Sequence, residues 1–316
     1  MPSSGYESTM QEAPLTLEDL RGPWPSGAVG YVALLGRPNA GKSTFLNTLL
    51  DYHLAAVSAK PQTTRRRWLG IYCETDCQIL FLDTPGVHAH NLALGEEMRA
   101  SIQRALSDAD AIVVLTDAAR TPGEEETMVA KIAAGAASPT MLAINKCDVA
   151  DADQIAATRA FYADYLSKDV PVEQVCARQR DSVSPVLQWL REVLPQGPFL
   201  YSPDELSDAT AREIGADLVR EVVLEVLDDE VPHATAVTIE SWEDGPRRAE
   251  VQATLHVERS SQKAIVVGRD GRTVGRIRRE AQARLSEAFG PVRLSLWVKV
   301  SRNWRKHRSQ VRDLTQ

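Results

Sequence analysis

Cysteine is scarce in this 316-residue chain: Cys73, Cys77, Cys147 and Cys176 are the four, and they form no CxxC pair. That excludes a disulfide framework and gives no zinc-ligand spacing, so reduced, mostly buried thiols in a cytoplasmic protein are expected. No apolar run approaches the roughly 18 residues that span a bilayer. The first twenty residues (MPSSGYESTMQEAPLTLEDL) lack both a basic stretch and an apolar core, so no secretory signal is expected. Aromatics are few, at 6%. With 43% apolar and 25% charged residues, the composition is that of a soluble globular protein, which excludes fibrous and fully disordered classes. The length suggests two domains.

The net charge of −7 hides an asymmetry. Residues 1–234 carry 19 basic and 34 acidic side chains, whereas residues 235–316 carry 17 basic and 9 acidic ones. Two modules with different partners are implied, the second attracted to a polyanion. Charge alone leaves open a solvated basic face with no ligand.

Residues 1–28 are rich in Ser, Pro, Gly and acids without an apolar period and read as a flexible acidic tail. From Val32 onward, short apolar runs (32–35, 79–82, 111–115, 141–144) alternate with helical segments near 42–51, 95–107, 123–135, 152–166 and 184–194. Weaker strands are expected at 69–73 and 172–176. Near-continuous apolar runs fit strands buried on both faces, so an α/β domain with a mostly parallel sheet is expected over 29–196. A Pro/Gly-rich stretch then predicts a linker at 197–205. Residues 206–316 read as a smaller α+β domain. It has a helix over 209–227, a hairpin turning at Glu243-Asp244-Gly245-Pro246, two helices flanking Gly268-Arg269-Asp270-Gly271, and a last strand over 292–300.

Gly36-Arg37-Pro38-Asn39-Ala40-Gly41-Lys42-Ser43, followed by Thr44, comes after the first apolar run and opens a helix. This is GxxxxGK[ST], a loop whose backbone N–H groups turn onto phosphate oxygens at a helix N-terminus. Lys42 supplies a charge for the β/γ phosphates and Ser43 a hydroxyl for Mg²⁺. Asp83-Thr84-Pro85-Gly86 ends the run 79–82. DxxG alone is expected by chance about once per chain. Here it sits at the sheet's carboxyl edge, where Asp83 would hold Mg²⁺ through water and the Gly86 N–H would face the γ-phosphate. Asn145-Lys146-Cys147-Asp148 ends another run, and the Asp148 carboxylate matches the N1–H and exocyclic amine of guanine, which adenine does not offer. The three signals together predict a guanine-nucleotide switch.

With these motifs the sequence resembles the translation-factor-related GTPases of the Era family. The stretches that carry the resemblance are GRPNAGKSTFLN (36–47), KPQTTRRRWLG (60–70), DTPGVH (83–88), NLALGEEM (91–98) and NKCD (145–148). Two later ones are ERSSQKAIVVGRDGRTVGRIRREAQARL (258–285) and LWVKVSRNWR (296–305). The resemblance implies GTP hydrolysis, with Thr63 and Thr64 as switch threonines and Thr64 contacting Mg²⁺ and the γ-phosphate. Val87, which follows DxxG, has no hydrogen-bonding side chain to orient a water, so slow turnover is expected. Related GTPases bind a monovalent cation near Asn39. K⁺ held partly by Asn39 would then add positive charge near the β/γ bridge. Lys42, Asn39, Thr64 and Gly86 are the residues expected to serve hydrolysis. The last guanine loop departs from the family's usual Ser-Ala. It reads Cys176-Ala177-Arg178, and the Ala177 N–H is expected to reach guanine O6.

The helix–GRDG–helix arrangement resembles a type II KH domain. Its glycines admit a nucleic-acid backbone and its second helix offers N–H groups to phosphate. Lys263, Gly268, Arg269, Asp270, Gly271, Arg272, Arg276 and Arg279 are the candidate RNA contacts, with Val274, Ile277, Ala281 and Leu285 facing a core. Trp297 and Trp304 either stack on bases or pack, and packing is favoured. The resemblance further implies a monomer that binds the 3′ region of 16S ribosomal RNA on the 30S subunit during its assembly, with a peripheral membrane role on the inner face of the cell membrane. Two other classes remain: an RNA-binding factor with a barely catalytic nucleotide pocket, and a P-loop ATPase or kinase with a nucleic-acid tail. Asp148 argues against the last.

Overall fold

The structure is a computed structural model that describes residues 25–57, 68–87 and 93–315. In chain order the first unit is β1 (Ser26–Leu35), α1 (Lys42–Leu50), β2 (Trp68–Glu74), β3 (Cys77–Asp83), α2 (Ala93–Asp108), β4 (Ala111–Asp117), α3 (Glu124–Ala134), β5 (Thr140–Asn145), α4 (Ala152–Ala163), β6 (Val172–Gln174), α5 (Arg180–Val193) and β7 (Gln196–Pro198). The sheet order is β2-β3-β1-β4-β5-β6, with β7 added against β1. β1, β3, β4, β5 and β6 are parallel, while β2 and β7 run antiparallel to their neighbours. β3 and β4 are buried along their whole length because helices cover both faces. All the carboxyl ends of the parallel strands therefore open on one edge, and the loops after β1, β3, β4 and β5 meet there.

Three local features differ from expectation. β1 begins at Ser26, inside the expected tail, because Ser26 to Ala28 pair with β7. α5 starts at Arg180, a turn earlier than expected, and accommodates Pro185 within it. The expected linker at 197–205 is hydrogen-bonded onto the first sheet. Buried Gln78 accepts from Leu200 N at 2.6 Å and Tyr201 N at 3.0 Å, and donates to Tyr201 O at 2.8 Å. A central-strand glutamine with both amide ends satisfied fixes this chain crossing.

The second unit comprises α6 (Ala211–Val226), β8 (Ala236–Glu243), β9 (Ala249–Val257), α7 (Ser260–Val267), α8 (Arg272–Phe289), β10 (Val292–Val300) and α9 (Arg308–Thr315). β8 and β9 form the expected hairpin, and β10 adds parallel to β9. Thr210 caps α6 reciprocally with Glu213. Ile277, Ala281 and Leu285 of α8 are buried, while Val274 is half-buried. α9 was not anticipated.

One buried apolar cluster includes residues of both units, from Phe45 and Leu54 to Val222 and Leu255. A smaller one joins Met98 of α2 to Ala236, Trp304 and Val311. Trp304 is buried and donates its indole N–H to Ala234 O at 3.0 Å, as packing predicts. Trp297 departs from that expectation: it stands 52% exposed on the open side of β10. Among the described residues no helix is long and apolar enough to cross a membrane.

Candidate functional site

The carboxyl edge of the first sheet encloses a cavity of about 330 Å³. Gly36 to Gly41 turn from β1 into α1, which begins at Lys42 with Gly41 in the left-handed region at φ 102°. A Cβ on Gly41 would lie 2.2 Å from Asn145 Nδ2, and one on Gly86 would lie 2.4 Å from Pro38 N. The loop is thus pressed against both neighbouring loops, and only glycine fits at these two contacts.

Lys42 is buried, and its Nζ donates to the carbonyls of Gly36 at 3.1 Å and Arg37 at 3.0 Å. Burial pushes its ammonium down to about 8, against an opposing pull from Asp83. A desolvated cation at a helix N-terminus is matched to an anionic ligand. Ser43 Oγ donates to Asp83 Oδ2 at 2.7 Å, which brings the hydroxyl of one loop onto the carboxylate of another. A hydroxyl and a carboxylate are hard oxygen donors, the set that suits Mg²⁺. The cradle of backbone N–H groups and Lys42 likewise fits a nucleoside polyphosphate. Thr84 turns its hydroxyl to Leu34 O at 2.7 Å, and the Val87 N–H donates to Gly36 O at 3.1 Å, so both hold the loop in place.

At the other end of the cavity, Asn145 bridges the loops. Its Nδ2 donates to Ala40 O at 2.7 Å and its Oδ1 accepts from the Ala177 N–H at 2.9 Å. That N–H was expected to serve guanine O6. Here it ties the two loops together, and Ala177 lines the cavity wall. Asp148 lines the cavity beside Lys146, whose backbone is in the left-handed region at φ 65°.

Of the sequence-derived candidates, Pro38, Asn39, Gly41, Lys42, Ser43, Thr44, Gly86, Asn145, Lys146, Asp148 and Ala177 line the cavity together. Gly36, Ala40, Asp83, Thr84, Pro85 and Val87 sit behind that lining. The Arg37 side chain turns away into a buried ion cluster, pairing with Asp117 at 2.8 Å and with Glu126. Thr63 and Thr64 lie outside the described residues. Sequence reasoning missed Ala56 and Val57, which line the cavity, and Asp117. The signal for Asp117 was present: like Asp83, it is a carboxylate at the end of a buried run.

In the second unit, α7 passes into Gly268 and Gly271, at φ 71° and 73°, and then into α8. Asp270 between them is also left-handed, at φ 52°. Lys263, Arg269, Asp270, Arg272, Arg276 and Arg279 are all exposed. Arg276 is held by Glu280 at 2.7 Å. Arg284, by contrast, turns back to Glu221 at 3.2 Å and to Glu225 on α6.

Known proteins share both halves. Residues 31–146 match a family described as 50S ribosome-binding GTPase, and residues 230–305 match the KH domain. The chain is 38% identical over 279 residues to the GTPase Era of Thermotoga petrophila, spanning 88% of this chain and 93% of the relative. It is 36% identical over 290 residues to that of Geobacter metallireducens, spanning 90% and 96%. A crystal structure of Aquifex aeolicus Era bound to GDP·AlF4⁻ superposes with a TM-score of 0.83 at 30% identity, covering 91% of this chain and 98% of that one. A structure of Era with MgGDPNP and nucleotides 1506–1542 of 16S ribosomal RNA gives a TM-score of 0.84 at the same identity and coverage.

Proposed function

The chain belongs to the Era family of GTPases, and on that premise we propose that its nucleotide state governs binding to the 3′ region of small-subunit ribosomal RNA during 30S assembly. It binds GTP and GDP with Mg²⁺ and hydrolyses GTP. The observation that carries the reading is a single cavity with the Lys42–Ser43–Asp83 cluster at one end and Asp148 at the other. The same chain presents an exposed basic GRDG turn.

In this reading Lys42 neutralises the β/γ phosphates, and the N–H groups of residues 38–44 cradle them. Ser43, Asp83 and Thr64 hold Mg²⁺, which draws negative charge off the phosphates when bound. The Gly86 N–H reports the γ-phosphate, and Asp148 selects guanine over adenine. Asn39, left-handed at φ 61° in the cavity wall, faces the polyphosphate and is the proposed K⁺ ligand. Val87 is buried and offers no group to a water, which supports slow intrinsic turnover. Lys263, Arg269, Arg272, Arg276 and Arg279 meet the RNA backbone, with the two glycines of GRDG admitting it.

The division between the nucleotide and RNA units is placed at 197–205. The free thiols Cys73, Cys77, Cys147 and Cys176 support a reducing, cytoplasmic setting, and a monomer with any membrane contact confined to its surface is part of the same proposal. Crosslinking the RNA bound in cells and sequencing it tests the proposal. Enrichment of the 3′ region of small-subunit ribosomal RNA is expected, and its loss in Lys42→Ala would tie it to nucleotide state. RNA recovered without enrichment of that region overturns the reading.

A further inference from the structure

We infer that Asp117 is a positioning residue that sets guanine recognition and phosphate grip together. The inference rests on the nucleotide reading above and adds a residue to it. Asp117 ends β4, the strand between β1, which feeds the phosphate loop, and β5, which feeds the NKCD loop. It lies opposite Asn145 in the ladder, and the Ala118 N–H donates to Asn145 O at 2.9 Å. Its carboxylate is 3% exposed and does not line the cavity, so it touches neither nucleotide nor solvent.

What it touches is one side chain from each loop. Asp117 Oδ2 accepts from Arg37 Nη2 and from Lys146 Nζ, both at 2.8 Å. Oδ1 is fixed by the Ala119 N–H at 3.0 Å. Glu126 takes the Nε of Arg37 and is itself held by the Gly123 N–H at 2.9 Å. Arg37, Asp117 and Glu126 are buried and Lys146 joins them from the half-exposed side, so removing Asp117 leaves the buried Arg37 guanidinium short of a partner and frees the Lys146 ammonium.

Each arm ends at a functional atom. The Arg37 carbonyl is one of the two acceptors that hold Lys42 Nζ, so the guanidinium–Asp117 pair anchors the segment that aims the phosphate cation. Lys146 is left-handed and stands two residues before Asp148, so the tie from its ammonium to Asp117 holds the turn that presents the guanine-reading carboxylate. Its ammonium is turned inward to Asp117, and its apolar stem contributes to the cavity wall. One carboxylate therefore fixes both ends of the nucleotide.

The test uses the full-length protein with D117N, K146M and the double variant, GTP and inosine triphosphate as ligands, and GTP turnover. Inosine lacks the exocyclic amine that Asp148 accepts from, so the GTP-to-inosine ratio reads the base end alone. In D117N, GTP affinity is expected to fall at least tenfold and the preference for GTP over inosine triphosphate to shrink at least threefold. Turnover at saturating GTP falls by less than affinity does. K146M keeps the apolar stem and loses only the tie, so it weakens GTP about fivefold or more. The double variant is no worse than D117N within twofold, because both act through one contact. Parent-like affinity and preference in D117N overturn the inference, as do losses that multiply in the double variant. Should D117N not fold, K146M decides, since its ammonium lies at the edge of the cluster: folded K146M within twofold of the parent overturns the inference. A parent protein that binds no guanine nucleotide overturns the functional reading and this inference with it.

Discussion

His53 Nε2 lies 2.9 Å from Glu221 Oε2, joining the loop after α1 in the nucleotide unit to α6 of the RNA-binding unit. The contact is not isolated. Asp217, one turn before Glu221, accepts from the Ala56 N–H at 3.4 Å, and Ala56 and Val57 line the nucleotide cavity. On its other side Glu221 pairs with Arg284 of α8, the helix that opens from the GRDG turn. A continuous path of polar contacts thus runs from the wall of the nucleotide site to α8, through side chains rather than through the chain crossing at 196–206.

This path is pH-sensitive, and the sign follows from the histidine. The hydrogen bond that His53 donates to Glu221 raises the histidine's pKa above 6.5, helped by the Glu221 and Asp217 charges and opposed by burial and Arg284. A raised folded-state value means the contact's contribution is full below about 6.5 and is lost as pH rises through the folded value. Hydrogen exchange at residues 51–57, corrected for intrinsic rates, is expected to be slower at pH 6 than at pH 8. Glu221→Gln should erase that difference. A His53 that titrates at or below 6.5 in the parent protein would refute the link.

Lys42 gives a second pH signature with the opposite origin. Its ammonium, lowered to about 8 by burial, is charged at neutral pH and neutral in growing part above 8. Triphosphate binding needs the charged form, so affinity is lost as pH rises through that value. From pH 7 to 8.5 GTP affinity is expected to fall about fourfold, a range that stops short of guanine's own titration. Lys42→Arg stays charged throughout and should show no such fall. A flat parent profile would exclude the depressed lysine.

Gly41 tests the packing of the site. An alanine there adopts φ 102° at a cost of about 1–2 kcal/mol. Its Cβ also displaces the Asn145 amide, whose two hydrogen bonds hold the phosphate, NKCD and Cys176–Ala177 loops together, at about 1 kcal/mol each. Gly41→Ala should therefore lower stability by about 3–4 kcal/mol in a urea melt and weaken GTP at least tenfold. Unchanged stability would mean the three loops are not locked by Asn145.

The parts of this molecule legible in sequence are those where one local rule decides. Buried strands showed as apolar runs, and β8 and β9 as an alternation around Asp244-Gly245. The cavity residues were legible because phosphate and guanine each demand particular groups at fixed spacing. What stayed hidden depends on distant partners. Nothing local marks Gln78 as the residue that pins Leu200 and Tyr201, since its neighbours lie more than a hundred positions away. Asp117 looked like any carboxylate after a strand until Arg37 and Lys146 converged on it. Ala177, whose N–H was expected at guanine O6, donates to Asn145 Oδ1, a contact between distant loops that no local pattern signals. Trp297 and Trp304 were both expected to pack, and only Trp304 is buried, by Met98 of α2, Ala236 of β8 and Val311 of α9, none of them near it in sequence except the last.

Asn39 carries a prediction about monovalent cations. Val87 leaves the site without a water-orienting amide, so an added positive charge near the phosphates would have the largest effect on turnover. GTP hydrolysis is expected to be faster in K⁺ than in Na⁺ at equal ionic strength, and Asn39→Ala should remove the difference. Equal rates in the two salts would remove the cation from the mechanism.

The arginines after GRDG are not equivalent, and the structure ranks them. Arg272 and Arg279 are exposed, and neither pairs with an acidic side chain among the described residues. Arg276 is also exposed but leans on Glu280, so part of its charge is already compensated. Arg284 is committed to Glu221 and Glu225 across the domain. In titrations of a single-stranded ribosomal RNA fragment, each phosphate contact contributes about 0.7 to the slope of log affinity against log salt. Arg272→Gln and Arg279→Gln should each lower that slope by about this amount with little change in melting temperature, because neither side chain is packed. Arg276→Gln should lower it by less. Arg284→Gln should leave the slope unchanged but raise the His53 pKa further, because the arginine charge opposes His53 protonation across Glu221. A slope that drops equally for all four would mean the strand follows the whole length of α8, and that Arg284 leaves α6 when RNA binds.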